Sequence, residues 1–216
     1  MYHFINECYG LDDIRRCRLK VSTISELNDP FELLGVNLSN SDVRHAFLEV
    51  RRTLSSNRGM LCFSRNWRNP VQWSHYADRH RGLCLGFDIP DEYLIHVSYQ
   101  STRLPFDPTR FGDTGTVGQA AIQEVLSTKY CHWRYEQEVR VFVSLDEREG
   151  DSNWYFKSFS EDLALREVIV GCNSELSKSA LLSALGDTAS KVDICKARPA
   201  FRTFRIVKQN NKVLWP

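Results

Sequence analysis

The chain lacks the marks by which several protein classes are recognised. Its seven cysteines stand at 8, 17, 62, 84, 131, 172 and 195, and no two form a C-x-x-C pair. That excludes the common zinc-finger and thioredoxin spacings. There is no G-x-G-x-x-G, no G-x-x-x-x-G-K-[ST], no G-x-S-x-G and no H-E-x-x-H. The usual glycine-rich phosphate cradles, the hydrolase nucleophile elbow and the zincin helix are therefore absent. His75 and His80 are five apart, a spacing that does not bring both to one helix face, and no metal is expected. No apolar run approaches the roughly 20 residues of a membrane-spanning helix. The start, MYHFINECYG, has neither the basic nor the apolar region of a secretory leader. With scattered, odd-numbered cysteines, this predicts a reduced, cytoplasmic protein with free thiols and no membrane association. An excess of one charge is lacking too. Twenty-eight Lys and Arg against 27 Asp and Glu leave +1, which argues against a globally basic nucleic-acid binder.

What is present suits a folded core. The 216 residues are 42% hydrophobic and include 12 Phe, 8 Tyr and 5 Trp, enough for one domain spanning residues 1–216. Tyr2 to Ile5 reads as a strand and Leu11 to Arg18 as a short helix. Thr23 and Glu26 fit a capping box, and Asn28-Asp29-Pro30 is a turn signal. Asp42 to Leu54 carries Val43, Ala46, Phe47, Val50 and Leu54 at helical spacing. Met60 to Phe63 and Gly82 to Phe87 read as buried strands, with one or two helical turns at Val71 to Ala77 between them. Asp91 to Tyr99 holds a further strand, and residues 100–118, with Pro105, Pro108 and three glycines, form a loop or lid. Thr116 to Lys129 reads as a helix and Val139 to Leu145 as an alternating strand. Strands follow at Trp154 to Phe159 and Glu167 to Val170, a helix at Leu176 to Leu185, then strands at Val192 to Cys195 and Arg202 to Val207. Strands outnumber helices without regular alternation, so the fold class is α+β.

Three segments carry chemistry. Tyr2-His3-Phe4 sets a histidine between aromatics on a strand. Residues 62–88 hold Arg65, Arg68, Arg79 and Arg81 with Trp67, Trp73 and Tyr76, and Asp78 is the only acid before Asp88. Guanidinium groups grip phosphate bidentately and stack on rings, so this stretch reads as an anion pocket or as a solvated positive edge. Residues 133–143 run Trp-Arg-Tyr-Glu-Gln-Glu-Val-Arg-Val-Phe-Val. On a strand, Glu136, Glu138 and Arg140 share one face. Two carboxylates roughly 7 Å apart suit acid–base work or stabilisation of an oxocarbenium centre. The plainer reading is a solvent-facing strand whose Glu and Arg pair along the sheet.

Several blocks together carry a resemblance. They are YHF at Tyr2 to Phe4, LNDPFE at Leu27 to Glu32, CFS at Cys62 to Ser64, WSHYADRHRGLCLGFD at Trp73 to Asp88, WRYEQEVR at Trp133 to Arg140 and VIVG at Val168 to Gly171. In order and spacing the chain resembles, over nearly its whole length, the bacterial "domain of unknown function 2971" proteins. Those look like remote relatives of the ADP-ribosyltransferase superfamily. The resemblance implies two packed, mostly antiparallel sheets around a central cleft with flanking helices. It implies NAD as substrate, no metal, and transfer of ADP-ribose to an unidentified protein, nucleic-acid or small-molecule acceptor. His3 would bind the NAD ribose, Ser64 would support the catalytic glutamate or the ribose, and Tyr76 would stack on nicotinamide. Glu138 would accept the ribose 2′-OH and stabilise the oxocarbenium while Glu136 orients the acceptor, or the two roles are reversed. Arg65, Arg68, Arg79 and Arg81 would supply donors to the pyrophosphate, and Trp67 and Trp73 an aromatic platform. A toxin-like or phage-defence role, with a neutralising antitoxin as partner, belongs to the same analogy. The chain departs from the superfamily pattern in having no S-T-S triplet at Ser64 and almost nothing before its first strand. Two other functions remain open at this point: an NAD glycohydrolase using the same site, and an inactive module that binds nucleotide or nucleic acid.

Overall fold

The run LCLGF at 83–87 has no polar alternation, the pattern of a strand covered on both faces. In the computed structural model, which describes residues 1–107, 119–145, 148–150, 152 and 154–215, this run forms β4 (Leu83–Asp88), buried from Leu83 to Phe87. On one edge β4 pairs antiparallel with β1 (Tyr2–Ile5), from Tyr2↔Gly86 to Ile5↔Leu83. On the other it pairs antiparallel with β10 (Ala164–Val170). Beyond β10 come β11 (Asp193–Pro199), parallel to it, and β12 (Ile206–Lys208), antiparallel to β11.

The far half of the sheet is built on β3 (Arg58–Ser64). One edge of β3 pairs over its whole length with β8 (Glu138–Ser144). Its other edge is divided. The start takes β2 (Arg18–Thr23) at Ser22↔Met60 and Thr23↔Gly59, and the end takes β1 at a single pair, Tyr2↔Ser64. Between these contacts, residues 61–63 pair with no described strand on that edge. β9 (Tyr155–Ser158) joins β2 and β5 (Ile95–His96) joins β8. The ten strands make one sheet, and β6 (Ser98–Gln100) with β7 (Thr128–Tyr130) make a separate parallel pair. The α+β class and the mostly antiparallel pairing agree with expectation. The two large packed sheets do not, because the double-sided pairing of β3 joins both halves into one split sheet.

Local chemistry places the helices. Asn6 caps α1 (Glu7–Arg15) by accepting from Cys8 N. Asn40 caps α2 (Ser41–Asn57), which buries Val43 and Phe47 against Ile24, Leu33 and Met60. Asn69 caps α3 (Pro70–Tyr76), where proline at the first turn forfeits no helical bond. The Thr23–Glu26 capping box forms as expected, over a 3-10 turn. α4 (Gln119–Leu126) and α5 (Lys178–Leu185) complete the helices described. Four sequence expectations change, one being the strand expected at Arg202 to Val207, which begins only at Ile206 after a bend at 201–204. The first helix starts at Glu7, four residues early, because Asn6 supplies the cap. The expected helix at Thr116 to Lys129 yields its end to β7. The strand expected at Asp91 to Tyr99 breaks after Pro90 into a 3-10 turn (Asp91–Tyr93), β5 and β6. Of the expected loop at 100–118, residues 108–118 lie outside the described residues. No described helix is long and apolar enough to cross a membrane.

Gly82 locks β1, α3 and β4 together at one point. A Cβ there would lie 2.2 Å from Ile5 O and 2.9 Å from the Ala77 carbonyl carbon. Gly82 N also donates to Ala77 O at 2.8 Å. Because the obstacles are backbone atoms, Gly82→Ala is expected to cost about 2–3 kcal/mol or more. Urea denaturation checks this, and an unchanged midpoint would contradict such tight packing.

Candidate functional site

A cavity of about 330 Å³ opens where β1 and β3 diverge. Tyr2, His3 and Phe4 line it from β1, and Cys62, Phe63 and Ser64 from β3. Gln72 and Tyr76 contribute from α3, and Glu32, Lys129, Glu136 and Glu138 close it. Five sequence-predicted site residues, His3, Ser64, Tyr76, Glu136 and Glu138, thus meet at one place.

His3 bridges the unpaired stretch of β3. Its Nδ1 lies 2.9 Å from Cys62 O, and a carbonyl can only accept, so Nδ1 carries the proton. Burial lowers the ring pKa, with partial opposition from this bond. The neutral ring then keeps a lone pair on Nε2, which no described residue uses.

Of the two roles expected of Ser64, its contacts match support of the glutamate. Its hydroxyl donates to Glu136 O at 2.6 Å and accepts from Gln72 Nε2 at 3.1 Å and Asn66 N at 3.0 Å. Gln72 also donates to the Tyr135 and Glu136 carbonyls, each at 2.8 Å. Ser64 and Gln72 together hold the backbone beneath Glu136. They work as positioning residues.

Glu136 and Glu138 do not share a strand face. Glu136 ends a 3-10 helix (Cys131–Glu136), Gln137 takes a left-handed conformation at φ 47°, and Glu138 opens β8. That single left-handed residue turns both carboxylates onto the Lys129 ammonium, 2.7 Å from Glu136 Oε2 and 2.9 Å from Glu138 Oε2. Arg140 Nε donates to Glu138 Oε1 at 2.8 Å, and its Nη1 to Glu32 Oε1 at 2.6 Å. All five groups are buried, which corrects the plainer expectation of a solvent-facing strand. Three carboxylates face two cations, so the fully ionised cluster carries one excess negative charge, costly at this depth.

That excess falls on Glu136. Burial raises its pKa, and Lys129 and the Tyr76 hydroxyl only partly offset this. For Glu138, burial also works upward, but Arg140 and Lys129 outweigh it and bring the carboxyl down to about 2. Tyr76 donates to Glu136 Oε1 and accepts from Asn28 Nδ2 at 2.9 Å. Burial first, then Glu136, raises the pKa of its phenol. The arrangement offers a fixed anion (Glu138), a carboxylate able to take a proton (Glu136) and a free imidazole lone pair across one small cavity.

The arginines and tryptophans lie elsewhere. Arg65 and Arg79 are exposed, and Arg81 pairs with Asp78 at 3.0 Å. Arg68 stacks over Trp67 and lines a different groove. Trp73, expected beside the ligand, is 0% exposed; its Nε1 donates to Trp67 O, and it packs with Phe4 and Cys84 in the core. Neither the arginine cluster nor the tryptophan platform belongs to this cavity. Sequence reasoning missed Lys129 and Glu32. Lys129 fell at the end of an expected helix, and its only signal was two carboxylates with a single neighbouring cation. Glu32 stood inside LNDPFE but had no partner in its own segment. Comparison with protein-family models, curated proteins and solved structures returns no match to this chain.

Two outcomes follow from the ion cluster. Lys129→Met leaves the paired carboxylates buried without their shared cation and is expected to cost about 3–5 kcal/mol. Thermal or chemical denaturation measures this, and a loss under about 1 kcal/mol would contradict the network. The second outcome concerns pH. Glu138 holds its proton less tightly in the folded chain, near 2, than at its ordinary 4.5. Its stabilising contribution is therefore complete above about 4.5 and is lost as pH falls toward 2. Glu136, raised, works in the opposite sense. The acid limb of wild-type stability should accordingly flatten in Glu138→Gln.

Proposed function

We propose that the chain is an NAD-consuming enzyme of the ADP-ribosyltransferase type, acting in the cavity between β1 and β3. The observation that carries this is the convergence of His3, Tyr76 and the Glu136–Glu138 pair, from three separate segments, on one cavity. The split of the sheet at β3 stands in for the cleft of the ADP-ribosyltransferase fold. At about 330 Å³ the cavity is near the lower end of small-ligand sites, which run roughly 300–1,000 Å³. It suits the nicotinamide-ribose half of NAD, with the pyrophosphate and adenosine extending outward. A toxin-like or phage-defence role in the cytoplasm belongs to this reading by analogy with the ADP-ribosyltransferase superfamily alone.

In this reaction the ribose C1′–N bond breaks and nicotinamide leaves with the electron pair, neutral because it was cationic in NAD. No strong general acid is required. The excess negative charge of the cluster favours the oxocarbenium that forms. His3 Nε2 accepts from a ribose hydroxyl and orients the sugar. Glu138, held by Arg140 and Lys129, keeps a fixed anion beside the centre. Glu136, whose charge is the least compensated, takes the proton that the acceptor loses as it bonds to C1′. Tyr76 covers the nicotinamide side and holds Glu136 in place through its hydroxyl.

NAD labelled in the adenylate phosphate tests this directly, with nicotinamide release and transfer of label followed together. Glu136→Gln and Glu138→Gln are expected to lower turnover by about 100-fold or more, and His3→Ala to raise KM. Melting curves separate loss of chemistry from loss of fold. Nicotinamide release with no labelled acceptor would assign hydrolysis at the same site. A folded chain that neither consumes nor binds NAD would overturn the proposal.

A further inference from the structure

The near-neutral charge conceals a strongly basic end. From Ile194 to Trp215 the sequence holds six Lys and Arg and no Asp or Glu. Its centre is the hairpin joining β11 to β12, where Ala200 N donates to Arg205 O at 2.9 Å. The hairpin tip reads Phe201-Arg202-Thr203-Phe204-Arg205. Phe201 is 91% and Phe204 99% exposed, the extremes among the exposed large hydrophobic residues. Neither ring is spent on a core, and such exposure of rings needs an explanation. The hairpin is nonetheless anchored, since Ile206 is buried and its N–H donates to Arg68 O at 2.9 Å.

Two grooves adjoin this tip. One, of about 460 Å³, is lined by Arg68, Arg198, Arg202 and Lys208, with no acidic side chain among the described residues. The other, of about 540 Å³, is lined by Phe201, Phe204, Arg205 and His80. Two of these cations already lie over rings: Arg198 is 4.4 Å from the Phe201 centroid and Arg68 4.8 Å from that of Trp67. Lys208 is bound to Glu167 at 2.6 Å; of the groove arginines, Arg68, Arg198, Arg202 and Arg205 have no carboxylate partner among the described residues.

We propose that this hairpin and its two grooves bind single-stranded nucleic acid, with bases stacked on Phe201 and Phe204 and phosphates on the four arginines. Alternating rings and cations match the alternating bases and phosphates of an unpaired strand. A lipid surface fits less well. Inserting both phenylalanines would carry Arg202 down between them, at high cost in hydrocarbon. The site is distinct from the cavity between β1 and β3, and the proposal does not rest on the NAD chemistry.

Fluorescence anisotropy of labelled 12-nucleotide DNA and RNA single strands tests it. With four phosphate contacts, log affinity should fall with log salt at a slope of about −3, a loss of roughly 50-fold between about 50 and 200 mM. Phe201→Ala/Phe204→Ala should weaken binding by about tenfold or more, and Arg202→Gln should flatten the slope. Both sets of side chains lie in solvent, so melting temperatures should stay at wild type. Glu136→Gln should bind the strands normally, which separates this result from any failure of the transferase proposal. Absence of binding at low salt, or wild-type affinity in the double phenylalanine variant, would overturn the proposal. So would binding to anionic vesicles, but not to either strand, that the same variant abolishes.

Discussion

The shared bond of Lys129 to Glu136 and Glu138 is the interaction on which the rest of the site depends. Two carboxylates brought this close in a buried setting repel each other, and one would take up a proton unless a cation stood between them. Lys129 provides that cation from β7, Glu136 comes from the end of a 3-10 helix, and Glu138 from the start of β8. Arg140 extends the network to Glu32 and to Leu126 O. Charge therefore joins the segment after the first 3-10 turn, the end of α4, the small parallel sheet and the large sheet around the floor of one cavity.

The cavity itself is a consequence of how β3 is paired. A strand with continuous partners on both edges leaves no room beside its backbone. Here β2 and β1 share one edge and leave residues 61–63 without a described strand between them, and the His3 side chain reaches across to Cys62 O. The same divergence that costs sheet hydrogen bonds opens the volume beside the glutamates. Ser64 sits at the hinge of this split. It pairs with Tyr2 through its backbone and holds the Glu136 carbonyl through its hydroxyl.

Much of the secondary structure was legible because its causes are local. Val43 and Phe47 fall on one helix face whatever surrounds them, Thr23 and Glu26 cap a turn within four residues, and LCLGF has the pattern of a doubly covered strand. Errors arose where distant contacts decided. Thr128–Tyr130 continues a helical pattern but is drawn into a strand by parallel pairing with Ser98–Gln100. Among cavity residues, the glutamates could be picked out by type and spacing, and His3 and Tyr76 only with the help of the resemblance. The role of Trp73 could not be read, and that of Ser64 could be narrowed only to support of the glutamate or of a ligand. A serine ending a strand looks the same whether it faces a ligand or a backbone carbonyl, and a tryptophan near arginines looks the same whether it is a platform or core.

By itself, then, the sequence determined most of the elements, the α+β class, the presence of the carboxylate pair and the absence of the common catalytic and phosphate-binding motifs. Each of these is set by residues a few positions apart, through hydrogen bonding to near neighbours and the periods of helix and strand. Tertiary structure alone decided that Lys129 and Glu32 complete the buried cluster, that Gln137 turns left-handed so that both glutamates face one ammonium, and that the arginines of 65–81 stay outside the cavity. It also decided that Phe201 and Phe204 stand in solvent among cations. Those outcomes depend on burial and on distances between segments up to 108 residues apart, as between Glu32 and Arg140. Neither quantity is present in a sequence until the chain has closed on itself.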